Sequence, residues 1–520
     1  MKKLLVILVV LVASVSMLIG CAEPAPAPTP APTPTPKPAP TPAGAPKYGG
    51  TLRMGDVSMP PGSIGWPADP LFSMTGVALP AMIESLVDLD KAGVMLPKLA
   101  TNWDIASDLK SVTMTLRQGV KFHDGSDFNA AVAKWNIETM IAAHATSLAA
   151  FVSVDVIDDY TIRINLTNYT NTVPTGLSST FMVSKAAFDK NGMEWMRMNP
   201  VGTGPFKFVS YEPTVSIKTT KFEGYWQKGK PYLDAVEIIF IADPMTRAAA
   251  FEADEVDIIS SDPTKTEYDL QQKGYPVLST FPGIFCMVPD TRNADSPLKD
   301  IKVRQAVEYA IDREDIAKLG YGFWAPVYQY SIPDTPSYIK DLPARLHDPE
   351  KAKKLLAEAG VEGLNINLYG SQMVDNDVFV AIQDYLAKVG ITAEVVVADA
   401  GMYREFQMKG WENGFVCGPF SCDLNLNISL NFIWTTNSPF VAGMQKTDEL
   451  DNIYNAASAT KDLEPELIQK APQYIFDTVM FIPVYLTSRG SVLKPFVRDT
   501  GLYTYFQFMN WDPASAWLDK

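Results

Sequence analysis

The chain is poor in the residues that carry most enzyme and metal chemistry. Among 520 residues there are three histidines and four cysteines. No HExxH pair and no Cys/His cluster with metal-ligand spacing occurs, so neither a zinc protease site nor a structural zinc site is expected. No GxSxG elbow occurs, which removes the commonest serine-hydrolase signature. Cations are also in deficit, with 44 Lys+Arg against 59 Asp+Glu and a net charge of −15. That balance argues against a nucleic-acid surface, which needs many phosphate-neutralising side chains. Beyond the first 20 residues no apolar run reaches the length of a spanning helix. What remains, 47% hydrophobic and 20% charged, suits a globular chain of several units.

The amino terminus carries an address. Lys2 and Lys3 precede an apolar stretch from Leu4 to Gly20, the pattern of a secretory signal over residues 1–20. Leu18-Ile19-Gly20-Cys21 resembles a bacterial lipobox, which implies that Cys21 is lipidated and becomes the first mature residue. An uncleaved anchor is the alternative, and both readings tether the rest outside the cytoplasmic membrane. Removal of residues 1–20 takes away two lysines and changes the side-chain charge to 42 − 59 = −17. Residues 21–46 then form a stalk. Eleven prolines fall within positions 22–46, and proline both fixes φ and lacks a donor, so polyproline II is favoured over helix or sheet. A proline-rich partner ligand is the other reading of the same segment.

Three cysteines remain. Cys417 and Cys422 are close in sequence and an exported location permits a bridge between them, so a disulfide and two free thiols both stay open. Cys286, within an apolar run, reads as a small buried residue.

The body mixes strands and helices. Val112, Met114 and Leu116 alternate with polar residues, as do Ile162, Ile164 and Leu166, and Val236, Ile238 and Phe240; each predicts a strand. Asp348-Pro349 begins a helix that Gly360 ends, with Ala352, Leu355, Leu356 and Ala359 on one face. Residues 302–318 place Val303, Ala306, Val307, Ala310 and Ile311 on another apolar face. Strands dominate 105–260 and helices 300–400, which suggests two or more lobes. Gly224 to Lys230 has the spacing of a phosphate-binding loop, but Pro231 follows and then a strand pattern, so nucleotide binding is not expected. His123, in Phe122-His123-Asp124-Gly125, reads as a hydrogen-bonded loop residue.

Several segments together resemble the bacterial family 5 extracellular solute-binding proteins of ABC importers. They are Gly49-Gly50-Thr51-Leu52-Arg53, Leu116 to Gly125 continuing to Glu138, and Val201-Gly202-Thr203-Gly204-Pro205-Phe206. Tyr225-Trp226 with Lys230 to Asp234, Thr246-Arg247 with Glu255 to Asp257, Val303 to Arg313, and the Asp348 helix follow in order. The resemblance implies an α/β, two-lobed periplasmic-binding-protein fold of the type II, large-cluster kind, with an extra subdomain. Lobe I would span 47–283 with an inserted subdomain near 90–200, lobe II 284–492, and residues 493–520 would return to lobe I. The crossings would lie near Phe281 to Val288 and Pro483 to Val492.

The same resemblance implies the function: capture of a peptide or similar small organic solute between closing lobes, and delivery to an ABC permease. It implies no catalysis, no cofactor, no metal and no nucleic acid, and a monomer held at the membrane by lipid on Cys21. Peptide-binding relatives hold the ligand's amino group with an acidic residue late in lobe II, and Asp423 falls at that place. The surrounding motif departs from the family pattern, with Cys417-Gly418 for Gly-Trp and Leu424 for Pro, so an ordinary loop aspartate is the other reading. Trp66, Trp324 and Trp434 are the aromatic candidates for ligand walls, against a plain core role. An oligosaccharide or metal complex as ligand, an exported hydrolase, and an interaction or sensory receptor with no transport role are the alternative functions.

Overall fold

The computed structural model describes residues 44–56, 62–69, 76–90, 93–261, 265–503 and 511–520. The signal segment, Cys21 and nearly all of the stalk lie outside these. Residues from Ala45 to Lys520 form one unit.

Two long strands organise it. Val277–Pro289 and Ile482–Leu493 run antiparallel beside each other and belong to a sheet with strands on both flanks. On one flank Ile258–Ser261, Thr51–Asp56, Ala235–Phe240, Ser216–Lys221 and Phe206–Glu212 follow in order. On the other lie Gly414–Ser421, Asn365–Ser371 and Thr392–Ala398. The pairing of the two long strands slips between Thr280 and Gly283. That irregularity falls where the partner strand changes from the first flank to the second, since Ser260 pairs with Ser491 and Gly283 with Ser421.

Alternation of side chains along each strand builds separate cores on the two flanks. In the first lobe Leu52, Met54, Val236, Ile238, Ile258 and Leu493 pack with Trp517's neighbour Leu518 near the carboxy terminus. In the second lobe odd and even residues of one strand serve different cores. Phe285 and Met287 pack with Val303, Leu368, Phe379 and Cys417, whereas Ile284, Cys286 and Val288 pack with Phe420, Leu430, Trp434 and Phe481.

A further module has its own four-stranded antiparallel sheet, in the order Ala100–Ile105, Ser111–Leu116, Thr161–Leu166, Phe151–Asp158. Val112, Met114, Leu116, Ile162 and Ile164 bury against Ala133 and Ile137 of helix Ala130–Ala142. These are the apolar positions of the period-two pattern read above. The helix begins where Asn129 accepts from the N–H of Val132.

Helix Pro349–Glu358 forms as expected, with Asp348 accepting from Lys351 N–H and Gly360 at φ +68° after its end. The apolar stretch from 302 to 318 is two helices rather than one. Ile301–Ala310 ends at the extended residue Ile311, and Arg313–Lys318 starts afresh with Asp312 as its cap. A carboxylate that caps one helix competes with continuation of the preceding one.

Of the two readings left open for Cys417 and Cys422, the fold has the second: both are buried free thiols. Cys417 lies in extended strand Gly414–Ser421 and Cys422 just beyond it. Five residues of extended chain separate their backbones by about 16 Å, against the roughly 6 Å that a bridge spans. The two also face different cores. Among the described residues no helix is long and apolar enough to cross a membrane.

Candidate functional site

Three of the segments that carry the family resemblance, around His123, Gly202 to Gly204 and Tyr225-Trp226, converge on one buried carboxylate. Glu84 is buried, and three side chains donate to it: Thr203 Oγ1 to Oε2 at 2.8 Å, Tyr225 OH to Oε1 at 2.9 Å, and Trp226 Nε1 to Oε2 at 2.9 Å. Burial pushes this carboxyl's pKa up, and Lys98 with the three donors holds it down. Gly202 and Gly204 are required by proximity: a Cβ on either would lie 2.3 to 2.8 Å from the carbonyl of Met82. His123 Nε2 meets Gly204 O at 2.9 Å, and its N–H donates to Gly202 O at 2.9 Å. Burial lowers its pKa to about 4, so the ring is neutral at pH 7. These residues hold the turn at 201–206 against the end of helix Leu79–Met82 and present no group to an open cleft.

The remaining motif residues are structural as well. Arg304 donates to the carbonyls of Val479, Thr478 and Leu298, each at 2.7 Å, and so closes the end of helix Lys470–Thr478. Arg313 and Arg345 flank the buried Glu308 at 3.1 and 3.0 Å. Lys230, from the phosphate-loop-like segment, donates to Ser515 Oγ, and strand Ala235–Phe240 follows it. Among the described residues no group of three or more His, Cys, Asp or Glu could hold a metal ion.

The polar groups that the motifs leave over lie in two places along the two long strands. Strand Gly414–Ser421 ends there, and Cys422 N–H donates to Pro282 O at 3.3 Å. Asp423 therefore leaves the sheet just after the contact with Pro282. Its N–H donates to Ser429 Oγ at 2.8 Å. Part of the residue stays exposed, yet its carboxyl is desolvated and its pKa is pushed up to about 7, against the N–H groups of Leu424 and Asn425, which lower it. No ion pair among the described residues includes it. Across the first long strand, Thr280 pairs with Arg489. The Arg489 guanidinium lies 3.9 Å from the carboxylate of Asp56, at the end of strand Thr51–Asp56. Tyr503 OH meets Ser491 Oγ at 2.9 Å close by. Next to Arg489, the buried Ser488 Oγ has no hydrogen-bond partner.

The three tryptophans are placed apart. Trp66 is buried in the first lobe, stacked on Phe188 at 5.1 Å and tilted against Trp135 at 6.0 Å. Trp434 is fully buried in the second lobe and stacks on Phe481 at 3.9 Å. Trp324 is half-buried, stacks on Tyr485 at 4.3 Å, and borders an open hollow of about 570 Å³ with Tyr268, Glu314 and Tyr321. Arg489, Asp56 and Tyr503 were not marked by any motif. Their one sequence signal is position, at strand ends or beside the second crossing.

Comparison with known proteins gives this geometry its context. The profile of the bacterial extracellular solute-binding proteins, family 5 Middle, matches residues 95–415. The glutathione-binding protein GsiB of Pectobacterium atrosepticum is 31% identical over 354 residues, covering 66% of this chain and 68% of that protein. Among solved structures, the periplasmic binding protein DppA of Helicobacter pylori, in complex with the peptide STSA, superposes with a TM-score of 0.76. It is 23% identical and covers 91% of this chain and 99% of its own. The oligopeptide-binding protein AppA of Bacillus subtilis, in complex with a nonapeptide, gives 0.74 at 21% identity over 91% of this chain and all of its own. The chain belongs to the bacterial extracellular solute-binding proteins, family 5, and has their two-lobed α/β fold.

Proposed function

We propose that the protein captures a peptide or a similar small zwitterionic solute between its two lobes and hands it to an ABC import permease. The observation that carries the solute class is Asp423. A desolvated carboxyl with no cationic partner among the described residues, placed where the lobes meet, is suited to a ligand ammonium, because each charge then regains a partner once water is excluded. The polar floor formed by Asp56, Arg489 and Tyr503 suits the opposite end of such a solute. The names of the relatives point the same way, toward glutathione and peptides.

On this reading lobe I spans 47–283 and 493–520 and lobe II spans 284–492. Closure follows from the ligand touching both lobes in one arrangement only. Trp324, the tryptophan of the three that keeps access to open space, is retained as a wall. Trp66 and Trp434 act through packing. The protein performs no chemistry on the solute. Residues 1–20 are removed, Cys21 carries lipid, and the stalk lifts a monomeric body from the outer face of the membrane.

The test is native mass spectrometry of protein purified without refolding, followed by thermal shifts with glutathione, free-amino peptides and sugars. A co-purified peptide-like mass, and stabilisation by that class without turnover, is the expected result. Stabilisation by sugars alone, or steady consumption of a peptide, would overturn the reading.

A further inference from the structure

Asn171 lies in the loop between strand Thr161–Leu166 and helix Val173–Ser178 of the four-stranded module, and is 5% exposed. Its hydrogen bonds all go to the other lobe. The backbone N–H donates to Ser458 O at 3.2 Å. Nδ2 donates to Ala457 O at 2.7 Å and to Thr460 Oγ1 at 3.1 Å. Oδ1 accepts from Asn427 Nδ2 at 3.1 Å and from Asn425 Nδ2 at 3.4 Å, and the backbone oxygen accepts from Asn425 Nδ2 at 2.9 Å. One buried residue thus meets two separate segments of the second lobe, 425–427 and 457–460. Asn427 is fully buried and its Oδ1 has no partner, so it gives up one bond while its amide nitrogen serves Asn171.

We propose that Asn171 is a positioning residue for solute capture: it latches the four-stranded module to the second lobe and holds the lobes closed. The latch is polar, and that makes it reversible. On opening, water replaces each bond, so the net gain per bond is small, whereas an apolar seam of the same extent would resist separation. Water has access, because a chamber of about 580 Å³ lined by Trp103, Tyr169, Thr175, Asn425 and Lys461 runs along the seam.

The latch is also wired to Asp423. Asp423 is two residues from Asn425, its own N–H is held by Ser429 Oγ, and the Asn425 side chain grips Asn171. A charge brought to Asp423 fixes the segment that the latch needs. This coupling rests on the proposed role of Asp423; the closure by Asn171 does not.

The experiment uses the full-length protein with Asn171→Ala and Asn171→Asp. The aspartate keeps an acceptor for Asn425 and Asn427 but turns a carboxylate toward Ala457 O, so a polar variant that folds should open as well. Small-angle scattering without added ligand should show a larger radius of gyration for both variants. Amide exchange should accelerate about tenfold or more at 425–427 and 457–460, while strands Ser111–Leu116 and Gly414–Ser421 stay protected. An unchanged radius with unchanged exchange overturns the latch, and so does loss of protection in Ser111–Leu116, which would mean that Asn171 supports the module's fold. With glutathione as probe, dissociation should quicken about tenfold at nearly constant association. If the unaltered protein does not bind glutathione, that solute is removed from the proposed function, and scattering and exchange still decide the latch.

Discussion

The side-chain amide of Asn425 donates to the main-chain oxygen of Asn171 at 2.9 Å, between residues 254 apart in the chain. Two positions away, Asp423 holds a carboxyl that burial pushes up to a pKa of about 7. The contact that joins the lobes and the group proposed to meet the solute are therefore parts of one short segment, which also caps helix Leu426–Ser429 through Asn425. That proximity links closure to charge.

Asp423 should make binding depend on pH. Its pKa in the fold lies above the ordinary 3.8, so the folded protein holds this proton more tightly than the unfolded chain between those values. Stability of the ligand-free protein should fall as pH rises through that window. Affinity for an ammonium-bearing solute should move the other way, rising up to about tenfold per unit as pH approaches 7 and levelling above it. Titration calorimetry between pH 5 and 8 checks the affinity and urea unfolding over the same range checks the stability, and Asp423→Asn should flatten both slopes.

His123 should contribute acid sensitivity. Its folded pKa of about 4 lies below the ordinary 6.5, so the unfolded chain takes up the proton first as pH falls. The stabilising contribution is complete above pH 6.5 and is lost progressively toward pH 4, by about 3 kcal/mol. Urea unfolding at a series of pH values measures this loss. A His123→Gln variant should be less stable at pH 7 yet lose less on acidification.

Glu84 should matter for stability and leave recognition alone. Glu84→Ala strands the hydroxyls of Thr203 and Tyr225 and the indole N–H of Trp226 in a buried site, at a cost of about 3–5 kcal/mol. Glu84→Gln keeps an oxygen for Thr203 and Trp226 and presents its amide to Tyr225, so its cost should be about half or less. Denaturant unfolding ranks the two. Ligand affinity of the folded Gln variant should match the parent within about twofold.

The three body cysteines should be inert. Burial pushes the thiols of Cys286, Cys417 and Cys422 up, and the thiolate is the reactive form. An aromatic disulfide reagent should therefore find no fast-reacting body thiol in the native protein and three after denaturation. Reducing agent should leave the melting temperature unchanged.

Much of the fold was legible because its signals are local. The alternation at Val112, Met114 and Leu116 marks a strand in any context, and Asp348-Pro349 caps its helix through atoms three residues away. The family motifs were legible for a related reason: Gly202, Gly204 and Tyr225-Trp226 serve one close-packed junction around Glu84, which tolerates few alternatives. The site was less legible. Asp423 was found through resemblance, and its desolvation depends on packing that periodicity does not encode. Asn171 gives no signal at all, since its partners at 425–427 and 457–460 are distant in sequence and are neighbours only in the folded chain. Cys417 and Cys422 stay ambiguous in sequence for the converse reason: closeness along an extended strand is distance in space.

Asp423 is proposed to meet the amino group of the captured solute. The most direct measurement is calorimetric binding of one short peptide in two forms, with a free amino terminus and with that terminus acetylated, to the parent protein and to Asp423→Asn at pH 7.5. The parent should prefer the free-amino form by about tenfold or more, and Asp423→Asn should lose this preference while still binding the acetylated form as the parent does. Equal affinity of the parent for both forms, or a preference that survives Asp423→Asn, would contradict it.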